Sequence, residues 1–465
     1  MLPYPDASRA LATPVEFPDE SCAIRSFSID TRTLRKGELF IALPGERSDG
    51  HDHVIAAFRR GASGALVQKK RQDGVVKALR QEGLTPRNIF AVEDPAAAMA
   101  LLARHYRDGL SVKTIVITGS VGKTTTKEFL HFLLKQKYPT LATEGNLNNH
   151  LGVPIMISRI KPDHAFAVLE AGASHAGEID YLASMIRPMS AILTPIGPAH
   201  LQGFGTLENV YRAKTEVLRY LSTDSPMVVP DHDERLHQLL RDSGKRFIRA
   251  GSSARADYRF SDVRVRNGMV RFKVNETSTF SFPGQASFLA LNATLAIALA
   301  DQLGVSIAEM PPEWTDLELV SGRFCETVLP NGIRVIDDSY NASPLAFATA
   351  IEAFRKITAN GKKILVFADM LELGADEVCY HREIGEKIAL SGIDAAYAFG
   401  DRSRNSIDVI RERSREILDA RHFSSADDLV SALGKLLRPG DLVLLKGSRG
   451  MRVEKVLAGI ERIGF

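Results

Sequence analysis

The chain reads as an α/β protein of three domains arranged around a central parallel sheet with a phosphate-binding loop. Three observations predict this. The stretch from Val112 to Lys135 runs from an apolar strand through a glycine-rich turn into a helix. Short β-branched runs alternate with helical patterns after it, the signature of βαβ units. The 465 residues are enough for three domains at the usual ~150 residues each. The expected boundaries are 1–107, 108–311 and 312–465, the last opening beside Pro311-Pro312.

Composition narrows the function classes. Hydrophobic residues are 45% and charged residues 25%, ordinary for a globular protein with a sizeable core, so no disulfide or metal staple is called for. A net charge of +3 is too small to argue for nucleic acid or a membrane surface as partner. Cys22, Cys325 and Cys379 lie far apart with no C-x-x-C spacing, which suits a reducing cytoplasm and neither a zinc site nor a disulfide framework. The N-terminus has no basic start followed by an apolar run, so no signal peptide is expected. The longest apolar helix candidate, residues 287–300, contains Asn292 and Thr294 and is too short to span a bilayer. The expectation is a cytoplasmic protein without membrane insertion.

In the first domain, Glu38 to Leu43 reads as a strand, Pro44 to Asp52 as a polar loop, Val54 to Arg60 as a helix capped by Gly61, and Ala65 to Val67 as a strand. Two polar clusters stand out: Ser28, Asp30, Thr31 and Arg32, and Asp49, Gly50 and His51. On the residues alone they are solvated turns with Asp30 and Arg32 as a surface pair. The other reading is a cleft for a phosphorylated or sugar ligand, with Arg32 on an anion.

The second domain opens with the strand Ile115-Val116-Ile117. The turn Gly119-Ser120-Val121-Gly122-Lys123-Thr124-Thr125 follows, and then Phe129, Phe132 and Leu133 at helical spacing. Glycines let backbone N–H groups converge on phosphate oxygens, and the helix N-terminus adds a positive dipole end. Lys123 would reach the β/γ-phosphates of a nucleotide and the Thr124 hydroxyl would hold Mg²⁺. The loop is the short G-x-x-G-K-T form, with Ile117 where the longer pattern has its first glycine.

Next comes the amide run with Asn146, Asn148 and Asn149, able to pair with a substrate's amide or sugar groups or simply to turn. Ala165 to Leu169 is a strand ending in Glu170, and Ala191 to Thr194 a strand leading to His200. A carboxylate at the C-terminal edge of such a sheet can bind Mg²⁺ or merely cap a helix. His200 faces the same choice between ligand and packed residue. Lys214 falls on a helix and by default is solvated. Residues 256–283 read as hairpins around Asn267-Gly268, and 286–303 as a helix carrying Asn292.

In the third domain Val328 to Ile336 is a hairpin around Asn331-Gly332, running into Asp337-Asp338-Ser339-Tyr340-Asn341. Alternating elements follow: a strand at 364–368, a helix at 380–391, a strand at 395–399, a helix at 425–437 and a strand at 442–445. This is a doubly wound sheet without a phosphate loop of its own, and it suggests closure over a site between the second and third domains.

Taken together these pieces resemble the Mur ligases. The resemblance runs through all three domains: TGSVGKTTTKE at 118–128, EGNLNNHLGVP at 144–154, LEAGASHAGEI at 169–179, AHLQGFGTLENVYRAKTE at 199–216, SGRF at 321–324, DDSYNASP at 337–344 and LLKGSRG at 444–450. The short phosphate loop is the family's own form. The DDSYNASP segment points to the branch that adds D-alanyl-D-alanine to the UDP-N-acetylmuramoyl tripeptide.

The resemblance implies a three-domain architecture with a P-loop ATPase-like central sheet and a C-terminal Rossmann-like domain. It implies ATP and Mg²⁺ as cofactors, and a CO₂-derived carbamate on Lys214. Thr124, Glu170, His200 and carbamylated Lys214 would be the metal ligands, and Lys123, Lys214, His200 and Glu170 the catalytic set. Asn292, Arg323, Asp338 and Asn341 would face the nucleotide together with the phosphate loop. Ser28, Asp30, Thr31, Arg32, Asp49, Gly50 and His51 would bind the UDP-sugar, and the amide run the peptide. The expected reaction activates the tripeptide carboxylate as an acyl phosphate, with no covalent enzyme nucleophile, in a monomer. Two other readings stand beside it: a related amide ligase with another acceptor, and a nucleotide-binding module without catalysis.

Overall fold

A computed structural model of the chain describes residues 1–19, 21–45, 48–414 and 419–463. Residues 46 and 47 of the Pro44–Asp52 loop lie outside it. Three larger sheets organise the described residues, with a two-stranded antiparallel pair, Leu2–Pro3 with Ala23–Ile24, at the N-terminus.

The first sheet is four-stranded and parallel, in the order Phe27–Ser28, Leu39–Ile41, Gly64–Gln68, Ile89–Val92. The last two crossovers carry the helices Val54–Arg59 and Gln72–Gln81, the usual connection between parallel strands, while the first, from Ser28 to Leu39, is a loop.

The central sheet has nine strands. Its parallel part runs Ile248–Gly251, Met227–Pro230, Ser190–Leu193, Lys113–Thr118, Phe166–Glu170, Thr140–Ala142. A meander of Tyr258–Arg266, Met269–Val274 and Ser278–Pro283 extends it at one edge. Asn267 and Gly268 turn the first hairpin with positive φ at both residues, the type I′ geometry that fits the twist of the strands. The helix Lys123–Lys135 packs against Leu289–Gln302, which is apolar nearly all round and buried along most of its length. Trp314 lies in this core, fully buried, within 6 Å of the rings of Phe129, Phe132, Phe280 and Phe282.

The third sheet runs Cys325–Val328, Arg334–Asp338, Leu442–Lys446, Lys363–Ala368, Ala395–Phe399, Asp419–Phe423, parallel except for the first pair. The expected helix at 380–391 is Glu377–Ala389, and the hairpin is longer than expected, Cys325 pairing with Asp337. Two elements here have no periodic pattern to announce them. Pro344–Phe354 is almost wholly apolar, so it shows no amphipathic stripe; it starts from Ser343, whose hydroxyl accepts from Ala346 N, with Pro344 in the first turn. Asp419–Phe423 is an edge strand carrying Asp, Arg and His, as edges exposed to water tend to do. No helix among the described residues is long and apolar enough to cross a membrane.

Candidate active site

Three neighbouring strands of the central sheet end at one place. Thr118 pairs with Leu193 on one side, and Ile117 with Glu170 on the other. The chain leaves Lys113–Thr118 for a strand on one side and later returns to pair on the other, so the carboxyl ends of these strands form a switch-point crevice, where α/β sheets bind ligands. The phosphate loop, Glu170 and the segment from Thr194 to His200 all emerge there.

The loop is fastened before any ligand arrives. Ser120 N and Val121 N both donate to Pro195 O, at 3.0 and 3.1 Å, and Ser120 Oγ donates to Gly197 O at 3.0 Å. A side chain at Gly119 would put its Cβ 2.6 Å from Thr194 O, so only glycine lets the two segments approach this closely. The helix then starts from Gly122 (φ +88), and Thr126 N bonds back to Gly122 O. The N–H groups of the helix's own first turn, from Lys123 to Thr125, have no intrahelical acceptor, which is the arrangement that receives phosphate oxygens.

Charged groups converge on this crevice. Lys123 Nζ rests on Gly119 O at 2.9 Å, and burial lowers its pKa. Thr124 Oγ1 donates to Glu170 Oε2 at 2.9 Å and accepts from Arg323 Nη2 at 3.2 Å. Asn148 Nδ2 donates to Glu170 Oε1 at 2.7 Å. Lys214 is buried, with Nζ on Ala173 O at 3.0 Å. Loss of hydration, then the charge of Lys123, brings its pKa down to about 7. His200 has a left-handed backbone, φ 53; its Nδ1 bonds the Glu372 carboxylate, and burial holds the ring pKa below the usual value.

The third sheet supplies the opposite wall. Lys446 Nζ pairs with Asp338 Oδ2 at 2.5 Å and donates to Asn341 O at 3.2 Å. Burial raises the Asp338 pKa, against the pull of Lys446. Tyr340 has the Arg323 guanidinium 4.0 Å from its ring centre and that of Arg449 at 5.7 Å.

Between the walls is a cavity of about 830 Å³. Of the residues singled out in the sequence, it brings together Gly119, Ser120, Lys123, Asn148, Asn149, Glu170, His200, Lys214, Arg323 and Asn341. Val121, Gly122, Thr124, Thr125, Asn292 and Asp338 are not part of its lining. Thr124 reaches it through Glu170, Asp338 is joined by Lys446 to the carbonyl of Asn341 in the lining, and the Asn292 amide packs against Gly122. Asn146 is outside; its carbonyl accepts from Asn148 N at 2.8 Å and so shapes the amide turn.

The N-terminal clusters are elsewhere. Ser28 ends a strand of the first sheet, and the Asp49 loop follows the next. Arg32 Nη2 pairs with Asp30 Oδ2 at 2.6 Å and is mostly exposed, the ordinary surface pair. His51 is buried with both ring nitrogens engaged: Nδ1 bonds Asp49 Oδ1 at 2.5 Å, and Nε2 accepts from Gln68 N at 2.9 Å. Asp49 also pairs with Arg71, which the sequence reading passed over because it stands in the basic run Lys69-Lys70-Arg71 with no glycine or motif beside it. Glu372 was missed for the same reason: the segment Met370 to Gly374 carries no spacing that marks a site.

The donors present suit a hard cation. The Thr124 hydroxyl and the Glu170 carboxylate are both buried oxygen donors beside the phosphate loop. No three His, Cys, Asp or Glu side chains gather into a metal cage among the described residues. A partial protein shell of oxygen donors is what Mg²⁺ takes, since it keeps waters and phosphate oxygens for the rest.

Three family models match the chain. Residues 23–107 match the Mur ligase family catalytic domain, 117–300 the Mur ligase middle domain and 322–449 the Mur ligase glutamate ligase domain. The chain belongs to the Mur ligase family. Within it, the chain is similar to the UDP-N-acetylmuramoyl-tripeptide–D-alanyl-D-alanine ligase of Bacillus subtilis (strain 168), 32% identical over 444 residues, which cover 94% of this chain and 93% of the relative. The enzyme of that name from Escherichia coli (strain K12) is 32% identical over 445 residues, with the same shares. Among solved structures, MurF ligase from Thermotoga maritima in complex with ADP superposes with a TM-score of 0.78 at 30% identity, covering 94% of this chain and 97% of that one.

Proposed function

We propose that this protein is the ATP-dependent ligase that joins D-alanyl-D-alanine to the terminal carboxylate of UDP-N-acetylmuramoyl tripeptide, giving the pentapeptide precursor of peptidoglycan. One observation carries the reading: Lys123, Glu170, His200 and Lys214 line a single cavity whose other wall comes from the third sheet. A nucleotide-binding module without catalysis has no use for Lys214 and His200 beside its phosphate loop. The D-alanyl-D-alanine acceptor is favoured by relatives that match this chain over nearly its whole length.

The chemistry follows from charge. The tripeptide carboxylate is a poor electrophile, and it must meet an anionic triphosphate. Lys123 and the phosphate loop would hold the β/γ-phosphates, and Lys123 offsets part of the repulsion. The γ-phosphoryl passes to the carboxylate, giving an acyl phosphate and ADP. The free amine of D-alanyl-D-alanine then attacks the acyl carbon, the amide forms, and phosphate leaves with the carboxyl oxygen that accepted it. Arg323, stacked on Tyr340 and bonded to Thr124, would place the nucleotide between the sheets. No step needs a cysteine.

A lysine amine must be neutral to add CO₂, and burial brings the Lys214 pKa to about 7, from an ordinary value above 10. The neutral amine attacks CO₂, loses a proton and becomes a carbamate, an anionic oxygen donor. Thr124, Glu170, His200 and this carbamate would hold Mg²⁺, which when bound supplies positive charge against the phosphates and the carboxylate. The seven N-terminal residues and the amide run are proposed for the UDP-sugar and the peptide. The protein is proposed to act as a cytoplasmic monomer, with domains meeting near residues 107 and 311.

Phosphate release from ATP, measured with each component left out in turn, tests the reading. The expected result is release only when tripeptide and D-alanyl-D-alanine are both present, with the pentapeptide found by mass. Release that ignores D-alanyl-D-alanine would move the assignment to another acceptor. No release with either the lysine or the meso-diaminopimelate tripeptide would support the non-catalytic module.

A further inference from the structure

Two cavity residues other than glycine have left-handed backbones: His200 at φ 53 and Glu372 at φ 63. That conformation is costly for a residue with a Cβ. It persists where the surroundings enforce it, and it gathers at working sites. These two residues stand on opposite walls of the cavity, and their side chains meet. His200 follows a strand of the central sheet; Glu372 follows the Lys363–Ala368 strand of the third sheet; and His200 Nδ1 bonds the Glu372 carboxylate.

The direction of that bond is fixed by chemistry. A carboxylate can only accept, so Nδ1 must donate. In the neutral ring this leaves the lone pair on Nε2, in a residue that lines the cavity beside Lys123, Glu170 and Lys214.

Glu372 is firmly placed to do this. Just before it, the Asp369 carboxylate accepts from Arg402 N at 3.1 Å and Ser403 N at 2.8 Å. Met370 N donates to His381 Nε2 at 3.0 Å, and Leu371 N to Ser448 Oγ at 2.8 Å. The Glu372 carbonyl itself accepts from Gln202 N at 3.0 Å, so main chain and side chain both grip the His200–Gln202 turn. The Glu372 side chain is 55% exposed and that of His200 35%, so what fixes the pair is the main chain beneath it.

We propose that Glu372 is a positioning residue for the ligase reaction: it holds His200 in the Nδ1–H form, with Nε2 as the free lone pair, and does so only while the third sheet is docked on the central one. Carboxylates that orient a ligating imidazole in this way raise metal affinity about 10–100-fold. The proposal rests on the ligase reading only for what Nε2 serves; the tautomer itself can be read without substrates.

The test uses the full chain labelled with ¹⁵N in histidine, without nucleotide or metal. Long-range ¹H–¹⁵N correlation spectra report which ring nitrogen carries the proton, and the His200 signals are those lost in His200→Gln. The wild type should show Nδ1–H. Glu372→Ala should move the proton mainly to Nε2, the form a free imidazole prefers. Glu372→Gln should keep Nδ1–H, because the amide oxygen still accepts. In turnover assays the Mg²⁺ concentration for half-maximal rate should rise about tenfold or more in Glu372→Ala and largely recover in Glu372→Gln. A folded Glu372→Ala protein that keeps Nδ1–H, or whose Mg²⁺ requirement is unchanged, overturns the proposal. Should Glu372→Ala not fold, a Glu372→Gln ring protonated at Nε2 overturns it equally. The spectra are recorded without substrates, so their outcome stands apart from that of the ligase assay.

Discussion

Lys214 shows how burial changes the proton affinity of an ordinary surface-type residue. On its helix it would be expected to point at water, and its Nζ instead sits on Ala173 O inside the cavity. Removing hydration from an ammonium favours the neutral amine, the form that reacts with CO₂. Lys214→Ala should therefore reduce turnover roughly a hundredfold or more, the scale seen when one preorganised charge is removed from such a site. Formate or acetate should restore part of the rate by filling the vacated space with a carboxylate. Full activity of Lys214→Ala without either would remove the carbamate from the mechanism. At this scale the sequence was partly legible. Lys123 and Glu170 were recoverable from motif and strand position, and Lys214 only through the family resemblance. The double engagement of His51 and the pairing of Glu372 with His200 depend on groups 17 and 172 positions away, which no local pattern encodes.

The elements were readable where a period or a turn signal existed. Strand, phosphate loop and helix followed in order because the apolar run, the glycines and the helical spacing all agree. The Asn267-Gly268 hairpin was readable from two residues. The helix Pro344–Phe354 was not, since a helix buried on most sides loses its polar stripe.

One joint between elements makes a separate prediction. The Tyr258 hydroxyl, on the meander, donates to Asp301 Oδ2 at 2.5 Å and accepts from Gln302 Nε2 at 2.9 Å, tying the strand to the Leu289–Gln302 helix. Burial, then the Asp301 carboxylate, raises its pKa to about 12 from 10.0. The raised value means the folded protein holds this proton more tightly than the unfolded chain. The stabilisation is therefore complete below pH ~10 and fades as pH climbs from ~10 towards ~12. Tyr258→Phe should cost about 0.5–1.5 kcal/mol in urea unfolding at pH 8. The gap between variant and wild type should narrow by pH 11. A gap that widens with pH would show that the hydroxyl is not held in its protonated form.

At the scale of the whole molecule, neither of the two larger sheets makes the site alone. The central sheet brings the phosphate loop, Glu170, His200 and Lys214; the third brings Tyr340, Asn341, Glu372 and Arg449, and Arg323 enters from just before its first strand. The sequence announced a site between domains through the absence of a second phosphate loop. It could not announce which loops would touch, because that depends on how the two sheets pack against each other. The most direct test of the account is the fate of oxygen. With the tripeptide's terminal carboxylate labelled with ¹⁸O, and ATP, Mg²⁺ and D-alanyl-D-alanine present, each phosphate released should carry one ¹⁸O from the substrate, and the pentapeptide amide should retain the other. Unlabelled phosphate accompanying pentapeptide formation would contradict transfer of the γ-phosphoryl to the carboxylate, and with it the chemistry assigned to this cavity.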